Sequence, residues 1–119
     1  MLVSRRQFEE LVADALDVIP PNLAVEMDNV AVVVEDRPTS EQLEGHSGTL
    51  LGLFEGVSLA HRSPLATSLP DRITIFRVPI CSLSRDEEDL ADQVRVTVLH
   101  EVGHYFGMSD RDLEELGWA

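Results

Sequence analysis

The stretch His100-Glu101-Val102-Gly103-His104 carries two histidines four positions apart, with a glutamate directly after the first. On an α-helix, residues i and i+4 lie on one face, so both imidazoles can point at one metal ion. Glu101 would lie about 100° further round such a helix, where it can reach a water on the ion without being a ligand. The stretch therefore predicts a helix that carries a zinc site.

The chemistry of a zinc hydrolase requires these residue types. Neutral imidazoles hold Zn²⁺ and leave one position open, the ion lowers the pKa of its water, and the carboxylate takes the proton as the water attacks a carbonyl. An apolar shell that excludes water surrounds the motif: Val94, Val96, Val98, Leu99, Val102, Tyr105 and Phe106. We therefore interpret His100 and His104 as metal ligands and Glu101 as the general base. The alternative is a chance pair of core histidines on a buried helix.

A catalytic zinc ion usually takes three protein ligands, so a third donor is expected. The chain continues to Gly107 and Asp110, which gives the pattern H-E-x-x-H-x-x-G-x-x-D. Gly107 is suited to end the helix in a left-handed conformation, and Asp110 can then turn back towards the metal. Metzincins have the same spacing with histidine in the last position. Asp110 would supply a carboxylate oxygen instead.

Other assignments of these residues stay open. Ser109 can cap a short last helix, in which Asp110 would only complement the helix dipole. Cys81 is a rival third ligand, although its surroundings are typical of a buried strand end. Glu114 or Glu115 could serve as the third ligand, but little chain follows the motif to carry a second ligand-bearing helix.

The tail 100–119 resembles the minimal zincin-like metallopeptidase family of bacteria, small proteins long catalogued as a domain of unknown function. Residues 27–36, 50–56, 69–76 and 93–98 also resemble segments of that family. The resemblance implies a compact zincin-like α+β fold, with His100, His104 and Asp110 as metal ligands and Glu101 as general base. It leaves the physiological substrate undefined.

Length and composition agree with one domain over residues 1–119, and the motif predicts one Zn²⁺ per chain. The chain is 44% hydrophobic and has 22 acidic against 9 basic residues, a formal charge of −13. Such a charge repels nucleic acid and anionic membrane surfaces.

Cys81 is the only cysteine, so no intramolecular disulfide can form. No run of 18 apolar residues and no signal-peptide core occurs, which favours a cytoplasmic protein. A monomer is the expected state.

The first half of the chain predicts one helix packed on a sheet. Ser4 and Gln7 form a capping box, and a stripe of apolar residues runs at helical spacing until Pro20. The stripe comprises Phe8, Leu11, Val12, Ala15, Leu16 and Ile19. Residues 30–35 predict a buried strand and residues 36–48 a loop. Residues 50–59 predict either one strand kinked at Glu55-Gly56 or a tight hairpin.

The second half predicts a strand at residues 72–78, on β propensity, and a long helix from about 85 to 106. Ser84 and Glu87 make the capping box that would start this helix. Residues 94–98 have strand propensity, but the histidine pair requires a helix there. We therefore predict a small mixed sheet packed against an N-terminal helix and a long central active-site helix, with a short C-terminal helix.

The expected activity is zinc-dependent hydrolysis of a peptide or protein substrate. The segment 50–56 is the candidate edge strand for pairing with a peptide, because its glycines allow another backbone to approach. Candidates for stabilising the oxyanion are His46, His61, Arg62 and Tyr105. Two other functions stay open: a catalytically weak or inactive zincin fold that acts as a peptide-interaction or regulatory module, and a metal-dependent amidohydrolase for small molecules.

Overall fold

The computed structural model describes residues 1–57 and 71–118. Within these ranges the chain forms a mixed α+β fold, as the sequence predicts. The helices are α1 (Arg5–Leu16), α2 (Pro21–Ala24), α3 (Ser40–Leu43), α4 (Arg77–Leu83), α5 (Glu87–Tyr105) and α6 (Asp110–Leu116). The strands are β1 (Val30–Glu35), β2 (Gly52–Glu55) and β3 (Asp71–Phe76).

The described strands form one mixed sheet in the order β1-β3-β2. β1 is parallel to β3, with Val30 opposite Asp71, and β2 is antiparallel to β3, with Gly52 opposite Ile75. β2 therefore lies at an edge of the described sheet. A strand within residues 50–59 is confirmed, but it covers only Gly52–Glu55 and ends just before Gly56, which has a φ of 146°. Residues 58 and 59 of that prediction lie outside the described residues.

The N-terminal helix starts at the predicted cap, and its apolar face packs on the core. Ser4 caps α1 by accepting a hydrogen bond from the backbone N–H of Gln7 at 3.1 Å. Phe8, Val12 and Ala15 are buried against the core. The helix ends at Leu16 rather than continuing to Pro20, and a turn covers the residues between them.

α5 is the central helix and forms as predicted, including the segment 94–98 with strand propensity. Its side chains Val94, Val98 and Val102 are fully buried in the core that also contains Ile73 and Ile75 of β3. Because α5 is buried on several faces, it carries apolar residues on several faces. The β propensity of residues 94–98 therefore does not decide their structure.

The start of α5 was predicted wrongly. Asp86, not Ser84, is the N-cap, and its side chain accepts from the backbone N–H of Asp89 at 2.8 Å. Ser84 instead ends α4, with its hydroxyl donating to the carbonyl of Ile80 at 2.8 Å. The acidic first turn of α5 follows Asp86 and complements the helix dipole.

Two other predicted segments differ from the structure. The strand expected at residues 72–78 starts at Asp71 and ends at Phe76, where α4 begins. Pro79 is the third residue of α4, a position whose N–H has no partner within a helix, so the proline is tolerated. The loop expected at residues 36–48 contains the single turn α3, which a capping box between Thr39 and Gln42 stabilises.

Candidate metal centre

The last two turns of α5 place His100 and His104 side by side. Their ring centroids lie 4.4 Å apart at an interplanar angle of 74°. A ring nitrogen of each histidine and a carboxylate oxygen of Glu101 all lie within 4.8 Å of one another. Over residues 1–57 and 71–118, this is the one group of three or more His, Cys, Asp or Glu side chains with such spacing. The helical arrangement of the motif thus forms as predicted.

Glu101 is held inside the fold. Only 9% of its side chain is exposed, against 34% for His104. Its Oε1 lies 3.3 Å from Nδ1 of His104, a long hydrogen bond. A bond at Nδ1 leaves Nε2 as the histidine nitrogen that is free to bind a metal.

The hydrogen bond between Glu101 and His104 also affects the pKa of His104. The hydrogen bond to Glu101 raises the pKa of His104 above its ordinary value, and Asp110 adds to this effect, while burial opposes it. Because a metal binds only the neutral imidazole, an ion must displace a proton favoured by both carboxylates. Acid pH therefore opposes metal binding at this histidine.

The end of α5 brings Asp110 back to the motif. Gly107 has a φ of 83°, and its N–H bonds to the carbonyl of His104 while that of Met108 bonds to Gly103. These two hydrogen bonds form a Schellman motif, which reverses the chain at a helix end. Ser109 then caps α6, so Asp110 is the first residue of the last helix.

Asp110 lies near Nε2 of His104, the ring nitrogen that does not contact Glu101. Its Oδ1 lies 3.6 Å from Nε2, on an 86% exposed side chain. Two ligand atoms about 2.1 Å from one tetrahedral zinc ion are separated by about 3.4 Å. The observed separation is close to that value, so an imidazole nitrogen and a carboxylate oxygen fit a zinc ion at this point.

A family model described as zincin-like metallopeptidase matches residues 27–118, which is most of the chain. The chain belongs to this family. No curated protein matches the sequence. The family implies a divalent metal, typically zinc, and the donor set of this zincin-like metallopeptidase fits such an ion. No helix in the described ranges is long and apolar enough to cross a membrane.

Two carboxylates compete for the role of third donor in this zincin-like metallopeptidase. Glu101 belongs to the compact group with the two histidines, whereas Asp110 does not. The two carboxylates flank different nitrogens of His104, since Glu101 Oε1 is next to Nδ1 and Asp110 Oδ1 is next to Nε2. An ion cannot use both nitrogens of one imidazole, and with Asp110 as donor Glu101 stays available as a base.

The rival third ligands are less well placed. Cys81 lies in α4, not at a strand end, and its thiol is buried in the hydrophobic core. It is not part of the donor group at the motif. Glu114 and Glu115 lie on α6 with exposed side chains.

Of the candidate oxyanion residues, the structure describes Tyr105 and His46, and the polar groups of both lie elsewhere. Tyr105 is buried, and its hydroxyl donates to the carbonyl of Glu26 at 2.9 Å. His46 lines a different cavity with Leu53 and Glu55, whose side chains lie on the sheet face opposite Gly52. His61 and Arg62 lie outside the described residues.

Sequence reasoning missed the role of Gly103 inside the motif. A Cβ built on Gly103 would lie 2.1 Å from Cδ2 of Leu113, a fully buried side chain of α6. The glycine therefore lets α6 pack against α5, and α6 carries Asp110 at its first position. No local signal reveals this, because the partner is ten residues away in the next helix.

Replacing Gly103 with alanine is expected to destabilise the fold and weaken metal binding. Alanine alone would stabilise a helix by about 1 kcal/mol relative to glycine. Overpacking of a filled core costs about 1–3 kcal/mol, and a 2.1 Å contact belongs at the upper end of this range. Thermal unfolding and zinc titration of Gly103→Ala measure both effects. Unchanged unfolding and zinc affinity would contradict the packing role.

Proposed function

We propose that this zincin-like metallopeptidase hydrolyses peptide bonds with one zinc ion, held by His100, His104 and Asp110. The observation that carries the proposal is the position of Glu101. Its carboxylate lies between His104 and the edge strand β2, on the wall of a cavity of about 300 Å³ that His100 also lines. A base, a metal site and a place for substrate therefore adjoin.

Each side chain has a separate task in this reaction. The ion, when bound, supplies Lewis acidity that polarises a carbonyl and makes a water acidic near neutral pH. Glu101 accepts a proton from the water as the water oxygen bonds to the peptide carbonyl carbon. Glu101 then gives that proton to the leaving nitrogen as the C–N bond breaks. Burial of Glu101 keeps bulk water from competing for the proton.

β2 is an edge strand of the sheet formed within residues 1–57 and 71–118, and this position supports a peptide as the substrate. In an antiparallel pair, residues alternately point their N–H and C=O groups towards the partner strand and away from it. The N–H of Phe76 donates to the carbonyl of Leu51 at 2.9 Å, so Leu51 faces β3. By this alternation, the backbone groups of Gly52 and Phe54 point away from β3. They can pair with an extended peptide that lies along β2.

The cavity beside the motif supports an apolar residue near the cleaved bond. Leu50, Leu51 and Val96 line it together with His100 and Glu101. A concave, mainly apolar surface binds an aliphatic side chain by removing it from water. An extended peptide backbone and an apolar side chain together favour a peptidase over an amidohydrolase for small molecules. The charge of −13 supports a peptide rather than a nucleic acid as partner.

Digestion of a diverse peptide library tests the proposal. The zinc-loaded protein should cleave a subset of peptides, with aliphatic residues enriched beside the cut, and the chelator-treated protein should cleave none. Mass spectrometry of the products gives the positions of the cuts. Equal cleavage by both preparations would point to a contaminating peptidase and contradict the proposal.

Removal of Asp110 is expected to weaken zinc binding by about 10-fold or more, because even losses outside the ligand shell cost 10–100-fold. Asp110→Ala should keep its helix cap, since Ser109 and Asp112 form the capping box of α6. A competition assay with a zinc-binding dye gives the affinity. Cys81→Ser is the control and should bind zinc as the wild type does. The reverse result would move the third ligand to Cys81.

A further inference from the structure

β2 lies close against α5 at Gly52. A Cβ built on this residue would lie 2.9 Å from Cγ2 of Thr97, 3.1 Å from Cγ of Glu101 and 3.4 Å from Oε2 of Glu101. Carbon atoms in good contact are about 3.5–4.0 Å apart, so an added methyl group would displace a neighbour. Gly52 does not have a positive φ. The site requires a glycine for lack of space, not for its backbone conformation.

Thr97 has little freedom to move away from Gly52. It is 7% exposed, and its hydroxyl donates to the carbonyl of Gln93 at 2.8 Å. This bond and β-branching restrict its χ1 rotamer on the helix.

β2 cannot easily retreat from α5 either. Its register fixes Gly52 opposite Ile75. The ring of Phe54 packs edge-to-face on that of Tyr105, with centroids 5.8 Å apart. With Thr97 and the strand both held in place, an added methyl group is pressed away from Thr97 and towards Glu101, whose side chain is the part that can shift.

We propose that Gly52 is a positioning residue for Glu101: the missing side chain leaves the space in which the carboxylate lies between β2 and His104. This inference rests on the proposed role of Glu101 as general base. By the alternation of the strand, Gly52 also directs its N–H and C=O to the edge where a peptide would pair. One residue thus sets the spacing between the substrate backbone and the base.

Gly52→Ala separates these two tasks, because alanine keeps the backbone groups and adds only the methyl group. The variant should lower kcat by about 10- to 100-fold, a part of the 10²–10⁴ that a general base supplies. KM should change by less than about 3-fold, since the backbone pairing that binds a peptide is kept. Both parameters are measured with one library peptide at matched zinc content, so that loss of the ion cannot explain the result.

Thr97→Ser provides the rescue. Serine lacks the Cγ2 methyl that lies 2.9 Å from the added Cβ, so the Cβ can move into this space and away from Cγ of Glu101. Serine also keeps the hydroxyl that bonds to Gln93. The double variant Gly52→Ala/Thr97→Ser should recover most of the kcat lost by Gly52→Ala, relative to Thr97→Ser alone. If Gly52→Ala fails to fold, the double variant is compared directly with Thr97→Ser and should stay within about 3-fold, as a relieved contact requires.

An unchanged kcat in Gly52→Ala, or a loss that Thr97→Ser does not relieve, would overturn the inference. A wild type that cleaves no peptide would instead overturn the proposed function. In that case crystal structures of the wild type and of Gly52→Ala decide the inference. A carboxylate of Glu101 displaced from His104 supports it, and a carboxylate in the same place contradicts it.

Discussion

Glu101→Gln is expected to lower kcat by about 10²–10⁴-fold, the contribution typical of general-base catalysis, while zinc stays bound. Glutamine has the same shape, and its amide oxygen can still accept a hydrogen bond from Nδ1 of His104. It cannot take a proton from the attacking water. Hydrolysis and peptide affinity are measured side by side for the two proteins at matched zinc content.

Glu88→Gln is the matched control for this variant. It removes the same charge from the same helix, but from an exposed position in the first turn of α5. Its turnover should equal that of the wild type. If Glu101→Gln hydrolyses peptides as fast as Glu88→Gln does, another group is the base. Binding of a peptide should survive in all three proteins.

Loss of either motif histidine is expected to abolish stoichiometric zinc binding. His100→Ala and His104→Ala each remove one of three proposed protein ligands, and structural or catalytic zinc sites need at least three. Metal analysis after purification and dialysis against zinc gives the occupancy, which should fall from about one ion per chain to a small fraction. His46→Ala is the control, because His46 lies in another cavity. Equal occupancy in the wild type and the motif variants would refute the site.

The pattern of the motif predicted more of the fold than local propensity did. Val94 and Val98 have strand propensity, yet the spacing of His100 and His104 requires a helix, and α5 is helical throughout. Gly107 was predicted to reverse the chain because a left-handed residue at that position closes a helix, and it does so. A chemical requirement at one site thus outweighed the preference of individual residues.

The wrong predictions concern the start of α5 and the end of β3, where the local sequence favours two boundaries almost equally. Ser84 and Asp86 are both good helix caps two residues apart, and only the presence of α4 decides between them, since it uses the Ser84 hydroxyl. Val78 favours a strand, but Phe76 is the last residue with a partner on β1. Tertiary pairing, not propensity, sets these boundaries.

The sequence did not reveal why two positions near the motif require glycine. Gly52 and Gly103 have no positive φ, so no turn or cap signals them. In the folded protein, Thr97 packs against Gly52 and Leu113 packs against Gly103, which leaves no space for a larger side chain at either position. Such contacts join segments separated in the chain, and a single sequence carries no local trace of them.

The most direct test of a zinc-dependent peptidase is turnover of one cleavable peptide during a zinc titration of the metal-free protein. The account predicts that turnover is absent without metal, rises in proportion to added zinc and saturates at about one ion per chain, as a single catalytic site requires. Turnover that does not depend on zinc would contradict it. So would a protein that binds one zinc ion and holds a peptide tightly without ever cleaving it, which is the behaviour of an interaction module.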